Sequence, residues 1–189
     1  MTSQEESLLR IAEVLATAEV PYMVIGGLAN AVWGEPRATL DIDVTVLVPD
    51  QRIPEVAQTL GRSFDLLVQH PIEFVRQTRV LPLRSREGVR LDVIFGLLPF
   101  EEEAVRRAVE VEVAGSSVRF CTAEDLILMK VISDRERDLE DARGVLKRRA
   151  AQLDFAYLDP RVIELSQVTE RPDIQARWRR WKEALTDLD

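Results

Sequence analysis

The segment from Asp41 to Val48, DIDVTVLV, constrains the fold of this 189-residue chain more than any other stretch. Its apolar and β-branched residues predict a buried strand, which ends at Pro49. Side chains two residues apart in a strand point to the same face, so Asp41 and Asp43 stand side by side while Ile42 faces the other way. The chain therefore places two carboxylates together at the start of its best-defined strand.

A shorter apolar run, Tyr22 to Ile25, predicts a second buried strand that ends in Gly26-Gly27. Glycines after a strand let the backbone approach a ligand closely, and they leave the N–H groups of the next helix pointing at it. This arrangement is typical of a phosphate-binding turn, and it is equally that of a plain strand–helix connection. The spacing fits neither a Walker A loop nor a G-x-G-x-x-G dinucleotide fingerprint.

Two further pairs of strands are predicted as hairpins, one around Glu87-Gly88 and one around Gly115-Ser116. From Thr122 onward the strand patterns stop and helical patterns continue to the end. The sequence therefore predicts an α/β (α+β) fold, with a mixed sheet flanked by helices over residues 1–120 and a helical C-terminal subdomain over residues 121–189. Helices are predicted over residues 3–17 (capped by Ser3 with Glu6), 28–33, 51–61, 71–78, 99–108, 123–133, 137–149, 160–168 and 173–186.

A third acid, Asp92, lies inside an apolar strand between Leu91 and Val93. An acid in such a place is costly unless it is paired, protonated or bound to a metal. Neighbouring carboxylates repel each other, and Mg²⁺ relieves the repulsion because it takes carboxylate and phosphate oxygens as ligands. Asp41, Asp43 and Asp92 are thus candidate metal ligands, whereas the alternative for the first two is a solvated strand edge.

Composition excludes several classes of protein. The chain has one cysteine and one histidine, Cys121 and His70, so an internal disulfide and a Cys- or His-rich zinc site are excluded. No apolar run approaches the 18 or so residues of a membrane span, and the polar, acidic start is not that of a signal peptide. We expect a soluble, cytoplasmic protein with no membrane partner. The formal charge of −8 argues against a non-specific nucleic-acid coat protein.

Three stretches of the chain together resemble the signature of the polymerase-β-type nucleotidyltransferase superfamily. They are Val24-Ile25-Gly26-Gly27, Arg37-Ala38-Thr39-Leu40-Asp41-Ile42-Asp43-Val44 and Leu91-Asp92-Val93. The resemblance implies a nucleotidyltransferase fold and a two-metal transfer of a nucleotidyl group from an NTP. If the roles of the superfamily's residues are carried over to this chain, Gly26 and Gly27 hold the triphosphate. Asp41 and Asp43 then bind both Mg²⁺ ions, and Asp92 binds the catalytic one. Many members have serine in place of Gly27, so one phosphate contact of the family lacks its hydroxyl.

The R-x-T-x-D-I-D form, with Met129-Lys130 and the run from Asp134 to Asp141, looks like the minimal bacterial branch of that superfamily. That branch includes antibiotic nucleotidyltransferases and the AbiEii-type toxins of toxin–antitoxin systems. The resemblance implies an enzyme with tRNA or a small molecule such as an antibiotic as acceptor, and a cognate antitoxin or toxin as a protein partner. The alternative is a non-catalytic or weakly active, antitoxin-like partner of a helical toxin.

Other candidate site residues have two interpretations each. Arg37 and Thr39 precede the acid pair and are predicted nucleotide-binding residues; Arg37 is predicted either to clamp a phosphate or to pair with Glu35. Lys130 either contacts the nucleotide or extends to solvent. Asp138 and Asp141 share a helix face, where basic side chains pair with them. The run Arg177-Trp178-Arg179-Arg180-Trp181-Lys182 either clamps an RNA end or packs a terminal helix.

Overall fold

The computed structural model describes residues 1–186, which form a seven-stranded mixed sheet and nine α-helices. The α/β fold class predicted from the sequence is confirmed. The helices are α1 (Ser3–Thr17), α2 (Gly26–Trp33), α3 (Ile53–Gly61), α4 (Pro71–Thr78), α5 (Pro99–Arg107), α6 (Ala123–Val131), α7 (Glu136–Arg149), α8 (Phe155–Val168) and α9 (Pro172–Thr186). The strands are β1 (Tyr22–Ile25), β2 (Asp41–Val46), β3 (Asp65–Leu66), β4 (Val80–Arg84), β5 (Arg90–Phe95), β6 (Val109–Val113) and β7 (Ser116–Phe120).

The strand order across the sheet is β3-β4-β5-β2-β1-β7-β6. The pairs β2–β5 and β1–β7 are parallel, and the other neighbouring strands are antiparallel. Both predicted hairpins, β4–β5 and β6–β7, are present. The central position of β2 agrees with its buried apolar residues, because Ile42 and Val44 are fully buried together with their neighbours Leu91 and Val93 on β5.

Several element ends differ from the predicted ones. Helix α1 is capped by Thr2 rather than Ser3, and the box partner is Glu5, whose carboxylate accepts from the Thr2 N–H at 2.6 Å. Helix α8 begins at Phe155, before the predicted start at 160, because the Asp154 carboxylate accepts from the N–H of Tyr157 at 3.0 Å and so caps the helix earlier. The two-residue strand β3 has too few residues to show a period and was not predicted.

Backbone contacts divide the chain into two compact units. The sheet unit comprises residues 1–28 and 38–122, and the helical unit comprises residues 29–37 and the chain from Ala123 onward. Helix α2 therefore begins in the sheet unit and ends in the helical unit. Within residues 1–186, no helix combines the length and the apolar character needed to cross a bilayer.

Candidate active site

The register of two neighbouring strands places Asp41, Asp43 and Asp92 on one face of the sheet. On the parallel pair β2–β5, Asp43 lies directly beside Asp92, and Asp41 lies beside Arg90. Paired positions on neighbouring strands are about 4.8 Å apart and point the same way. The three carboxylates predicted as a group therefore share one face, at the end of the sheet where β2 and β5 begin.

The Gly26 turn is packed directly against this face. Ile25, the last residue of β1, pairs with Asp43 on the antiparallel strand β2, and Gly26 follows it with a φ of +66°. This conformation favours glycine, and a Cβ on Gly26 would collide with the Asp43 carboxylate. The first glycine is thus required both by its backbone angle and by the carboxylate beside it.

The second glycine, Gly27, faces Thr39. A Cβ on Gly27 would collide with the Thr39 hydroxyl and would lie 2.7 Å from the Thr39 Cβ. The threonine side chain therefore fills the space that a serine at position 27 would need. This explains why the chain has glycine where many members of the superfamily have serine, and it puts a hydroxyl next to the glycine turn.

Asp92 is held by an arginine that the sequence interpretation had not singled out. The Arg90 guanidinium donates to Asp92 at 3.2 Å, and the Asp92 side chain is 23% exposed. The pKa of Arg90 lies above its ordinary value, first because of this hydrogen bond and the Asp92 charge, and further because of Asp41 and Asp43. The signal in the sequence was the spacing, because Arg90 and Asp92 are two residues apart in one strand and share its face.

The donor set of this face suits a hard divalent cation. It consists of carboxylate oxygens, which Mg²⁺ prefers, and the Asp43 carboxylate is fixed against the glycine turn. In residues 1–186, no three acidic, histidine or cysteine side chains converge into a preformed metal cluster. The carboxylates repel one another, and Asp92 is already bonded to the Arg90 guanidinium. The chemical type of these donors, carboxylate oxygens, fits a divalent cation.

Arg37 and Lys130 belong to a different cluster, inside the helical unit. Arg37 donates to both oxygens of Asp141, at 2.9 and 2.8 Å, and Lys130 donates to Asp141 at 2.7 Å and to Asp138 at 2.9 Å. Lys130 is buried rather than extended to solvent, with 7% of its side chain exposed. Asp138 also accepts from Arg135 at 2.6 Å. A phosphate contact by Arg37 or Lys130 would therefore require exchange of a carboxylate for the phosphate.

The acids of this cluster are held in their charged form. Burial opposes ionisation of Asp141, but hydrogen bonds from Arg37 and Lys130 outweigh it, and the pKa of Asp141 lies below its ordinary value. The pKa of Asp138 is lowered in the same way, since bonds from Lys130 and Ser133 overcome its burial. The cluster is thus a buried network of full charges.

The tryptophan-rich segment of α9 packs against α8. Trp178 is 5% exposed, its ring lies 6.2 Å from that of Phe155, and its indole N–H donates to Asp159 at 2.8 Å. Lys182 donates to the same Asp159 at 2.6 Å. Of the two predicted interpretations, the packing of a terminal helix is the one the contacts support.

Comparison with solved structures identifies the fold as that of nucleotidyltransferases. The aminoglycoside enzyme ANT(2")-Ia in complex with adenylyl-2"-tobramycin superposes with a TM-score of 0.58 at 16% identity, covering 94% of this chain and 99% of that one. An antigenic nucleotidyltransferase-like protein from Paracoccidioides brasiliensis gives 0.54 at 17% identity, covering 94% and 93%. The lincosamide antibiotic adenylyltransferase LnuA, bound to lincomycin, gives 0.52 at 17% identity, covering 77% and 96%.

The family match is made at the level of sequence. The chain belongs to the family described as "Nucleotidyltransferase of unknown function (DUF6036)", whose model matches residues 6–187. No curated protein sequence matches it. The predicted membership in the nucleotidyltransferase class is thereby confirmed, and the chain is a nucleotidyltransferase by family and by fold.

Proposed function

We propose that the chain transfers a nucleoside monophosphate from an NTP to a hydroxyl of an acceptor, with Mg²⁺ held by Asp41, Asp43 and Asp92. The observation that carries the proposal is the strand register, which sets these three carboxylates on one face beside the Gly26 turn. A divalent cation bound there would stabilise the charge that develops on the transferred phosphoryl group. Two ions are the number that the superfamily resemblance implies.

The glycine turn is the proposed seat of the triphosphate. Gly26 and Gly27 open α2, so their N–H groups belong to the unpaired donors at a helix N-terminus. No side chain at these positions keeps the phosphates away from the backbone. The Thr39 hydroxyl, which lies against Gly27, supplies the hydroxyl contact that serine makes in other members.

In the proposed reaction the acceptor oxygen bonds to the α-phosphorus while the bond from that phosphorus to the bridging oxygen of the pyrophosphate breaks. The pyrophosphate leaves with the bonding electron pair. Asp92 takes the proton of the acceptor hydroxyl, a role open to it because its carboxylate is partly exposed on the same face as Asp41 and Asp43. Arg37 and Lys130 remain predicted nucleotide contacts, subject to the exchange of partners described above.

Two acceptors follow from the sequence resemblance and the fold. A tRNA end, as for the toxin branch, is the predicted acceptor, and a co-encoded antitoxin is the predicted partner. A small-molecule acceptor is the second candidate, favoured by the fold shared with two antibiotic adenylyltransferases. The non-catalytic alternative, an antitoxin-like subunit, predicts a stoichiometric complex with a helical toxin and no label transfer.

The test is incubation with each α-³²P-labelled NTP, Mg²⁺, and either total tRNA or an antibiotic panel. Asp41→Asn should lower transfer by about 100-fold or more, because metal stabilisation of the transition state is worth several kcal/mol. The matched control is Asp50→Asn, an exposed acid beyond the opposite end of β2 that pairs with Arg79. Transfer that is absent with every NTP and acceptor, or equal in wild type and Asp41→Asn, refutes the proposal.

A further inference from the structure

Two arginines share the face that bears the three carboxylates. Arg90 on β5 pairs in register with Asp41 on one side and with Arg84 on β4 on the other. Both arginines are exposed, and Arg84 is the last residue of its strand. A row of side chains thus runs across the sheet from Arg84 through Arg90 to Asp41, next to the row that contains Asp92 and Asp43.

The two guanidinium groups differ in their partners. Arg90 is bonded to Asp92 at 3.2 Å, and about half of its side chain, 54%, remains exposed. The Arg84 guanidinium makes no hydrogen bond or ion pair with any residue in the described part of the chain, although the exposed Asp65 is its register partner on β3. An exposed guanidinium with no partner among the described residues is available to an external anion.

The acid of the adjoining turn is directed elsewhere. Glu87, between β4 and β5, accepts from the Ser7 hydroxyl at 3.3 Å. The pKa of Glu87 lies below its ordinary value, because of its backbone hydrogen bond and its bond with Ser85. The Ser7 hydroxyl also lies within hydrogen-bond distance of the buried Ser85 hydroxyl, at 2.7 Å, which ties this end of the hairpin to α1. Glu87 therefore has partners other than Arg84 and Arg90.

The strand order separates the arginines from the proposed triphosphate seat. Going across the sheet, the glycine turn follows β1, the acid pair is on β2, Asp92 and Arg90 are on β5, and Arg84 is on β4. At about 4.8 Å per strand, Arg84 stands roughly 14 Å from the strand that bears the glycine turn. The arginines thus flank the carboxylates on the side of Asp92, where the acceptor hydroxyl must come.

The geometry points to Arg84 and Arg90 as an anion subsite that binds a phosphate group of the acceptor. This inference rests on the proposed function, which fixes the donor side and the role of Asp92. A divalent cation on the carboxylates would replace Arg90 as the counter-charge of Asp92, so both guanidinium groups would be left for a phosphate, which they match in geometry. The acceptor class is therefore a phosphate-bearing alcohol, and a polycationic aminoglycoside would be repelled.

The subsite is tested with the variants Arg84→Gln, Arg90→Gln and the double variant, and Arg76→Gln is the control. Arg76 is exposed in the last turn of α4, the helix that precedes the opposite end of β4. Arg84→Gln is the cleaner change because it breaks no contact. The probes are a fluorescein-labelled single-stranded oligoribonucleotide with a free 3′-hydroxyl, read by anisotropy, and ribose 5-phosphate and tobramycin, read by calorimetry, all with Mn²⁺ present. ATP affinity is measured in parallel.

Each single substitution should weaken the RNA or the ribose 5-phosphate complex about threefold to fivefold, the range of one exposed charge contact. If the probe is RNA, the slope of log K against log salt should also shrink by about 0.7 per arginine. If the arginine substitutions weaken binding of only the RNA or only the sugar phosphate, that probe identifies the source of the phosphate that the subsite binds. Three results would each overturn the subsite. The first is that the arginine variants bind the phosphate probes as tightly as Arg76→Gln does, and the second is that they lose ATP affinity to the same extent as probe affinity. The third is that tobramycin is the tightest ligand of the wild type.

The Mn²⁺ titration separates failure of the subsite from failure of the proposed function. Electron paramagnetic resonance of free Mn²⁺ should show binding to wild type and a loss with Asp41→Asn. Mn²⁺ binding of that kind, with no response to the arginine substitutions, leaves nucleotidyl transfer intact and removes the subsite. Absence of Mn²⁺ binding by the wild type removes both.

Discussion

Replacement of Lys130 by methionine tests the buried charge cluster of the helical unit. The methionine keeps the length of the apolar stem and removes the ammonium group that donates to Asp138 and Asp141 at 2.9 and 2.7 Å. Both acids are well buried, with side chains 13% and 5% exposed. Loss of one partner of a buried ion pair typically costs about 3–5 kcal/mol, because the other charge is left without compensation.

The structure lowers the expected cost of this substitution. Asp141 keeps two bonds from Arg37, and Asp138 keeps Arg135 and Ser133, so neither charge is left alone. We therefore expect Lys130→Met to lower the free energy of unfolding by about 2 kcal/mol. For a chain of this size that corresponds to a fall in Tm of about 4–8 °C.

The assay is urea denaturation followed by tryptophan fluorescence. Trp33, Trp178 and Trp181, the three tryptophans of the chain, all lie in the helical unit, so their signal reports on the unit that holds the cluster. Urea is preferred to guanidinium chloride because the salt would screen the charges. The control is Lys147→Met, which removes an exposed lysine on α7. A midpoint for Lys130→Met equal to that of the control would refute the reasoning.

Two further predictions concern the glycine turn and pH. Gly26→Ala forces a Cβ against Asp43 at a φ of +66°. We expect it to lower the Mn²⁺ affinity and to lower the free energy of unfolding by about 1–3 kcal/mol. Gly88→Ala, at a φ of +84° with no atom within 4 Å of the new Cβ, should cost about 1 kcal/mol and leave Mn²⁺ affinity unchanged, and a shared effect on Mn²⁺ would contradict the packing argument. Because the pKa values of Asp138 and Asp141 are lowered on folding, their stabilisation is present above the unfolded-state pKa of about 3.9 and is lost as pH falls through the folded-state values. Asp141→Asn should therefore flatten the fall of the urea midpoint below about pH 4, and an unchanged pH profile would be the contrary result.

The shared face of Asp41 and Asp43 could be predicted because strand periodicity depends only on local sequence. The position of Asp92 beside Asp43 could not, because α3, β3, α4 and β4 intervene and no local pattern states which strands become neighbours. The apolar neighbours of Asp92 marked it as a candidate, and the superfamily resemblance implied that it joins the pair. Arg84 and Arg90 had no such guide, since their importance depends on the pairing of β4 with β5 and of β5 with β2.

Contacts between residues far apart in sequence were the least predictable. Arg37 was expected near a phosphate or Glu35, and the described contact is with Asp141, 104 positions later. When a side chain can reach several partners, tertiary packing decides which one it contacts, and local propensities do not encode that choice. The site residues therefore stay a proposal built on the register, while the helices and hairpins followed from periodicity, turns and caps.

The division of the chain into interleaved units has a consequence for its synthesis. Residues 29–37 leave the ribosome long before their partners, because Arg37 precedes Asp141 by 104 residues. At about 5–20 residues per second, the segment waits roughly 5–20 s for that carboxylate. It waits still longer for Arg148 and Arg149, which bind the carbonyls of Gly34, Trp33 and Val32. Every strand of the sheet unit precedes Thr122, so all seven strands are synthesised before the helices that residues 29–37 contact in the helical unit.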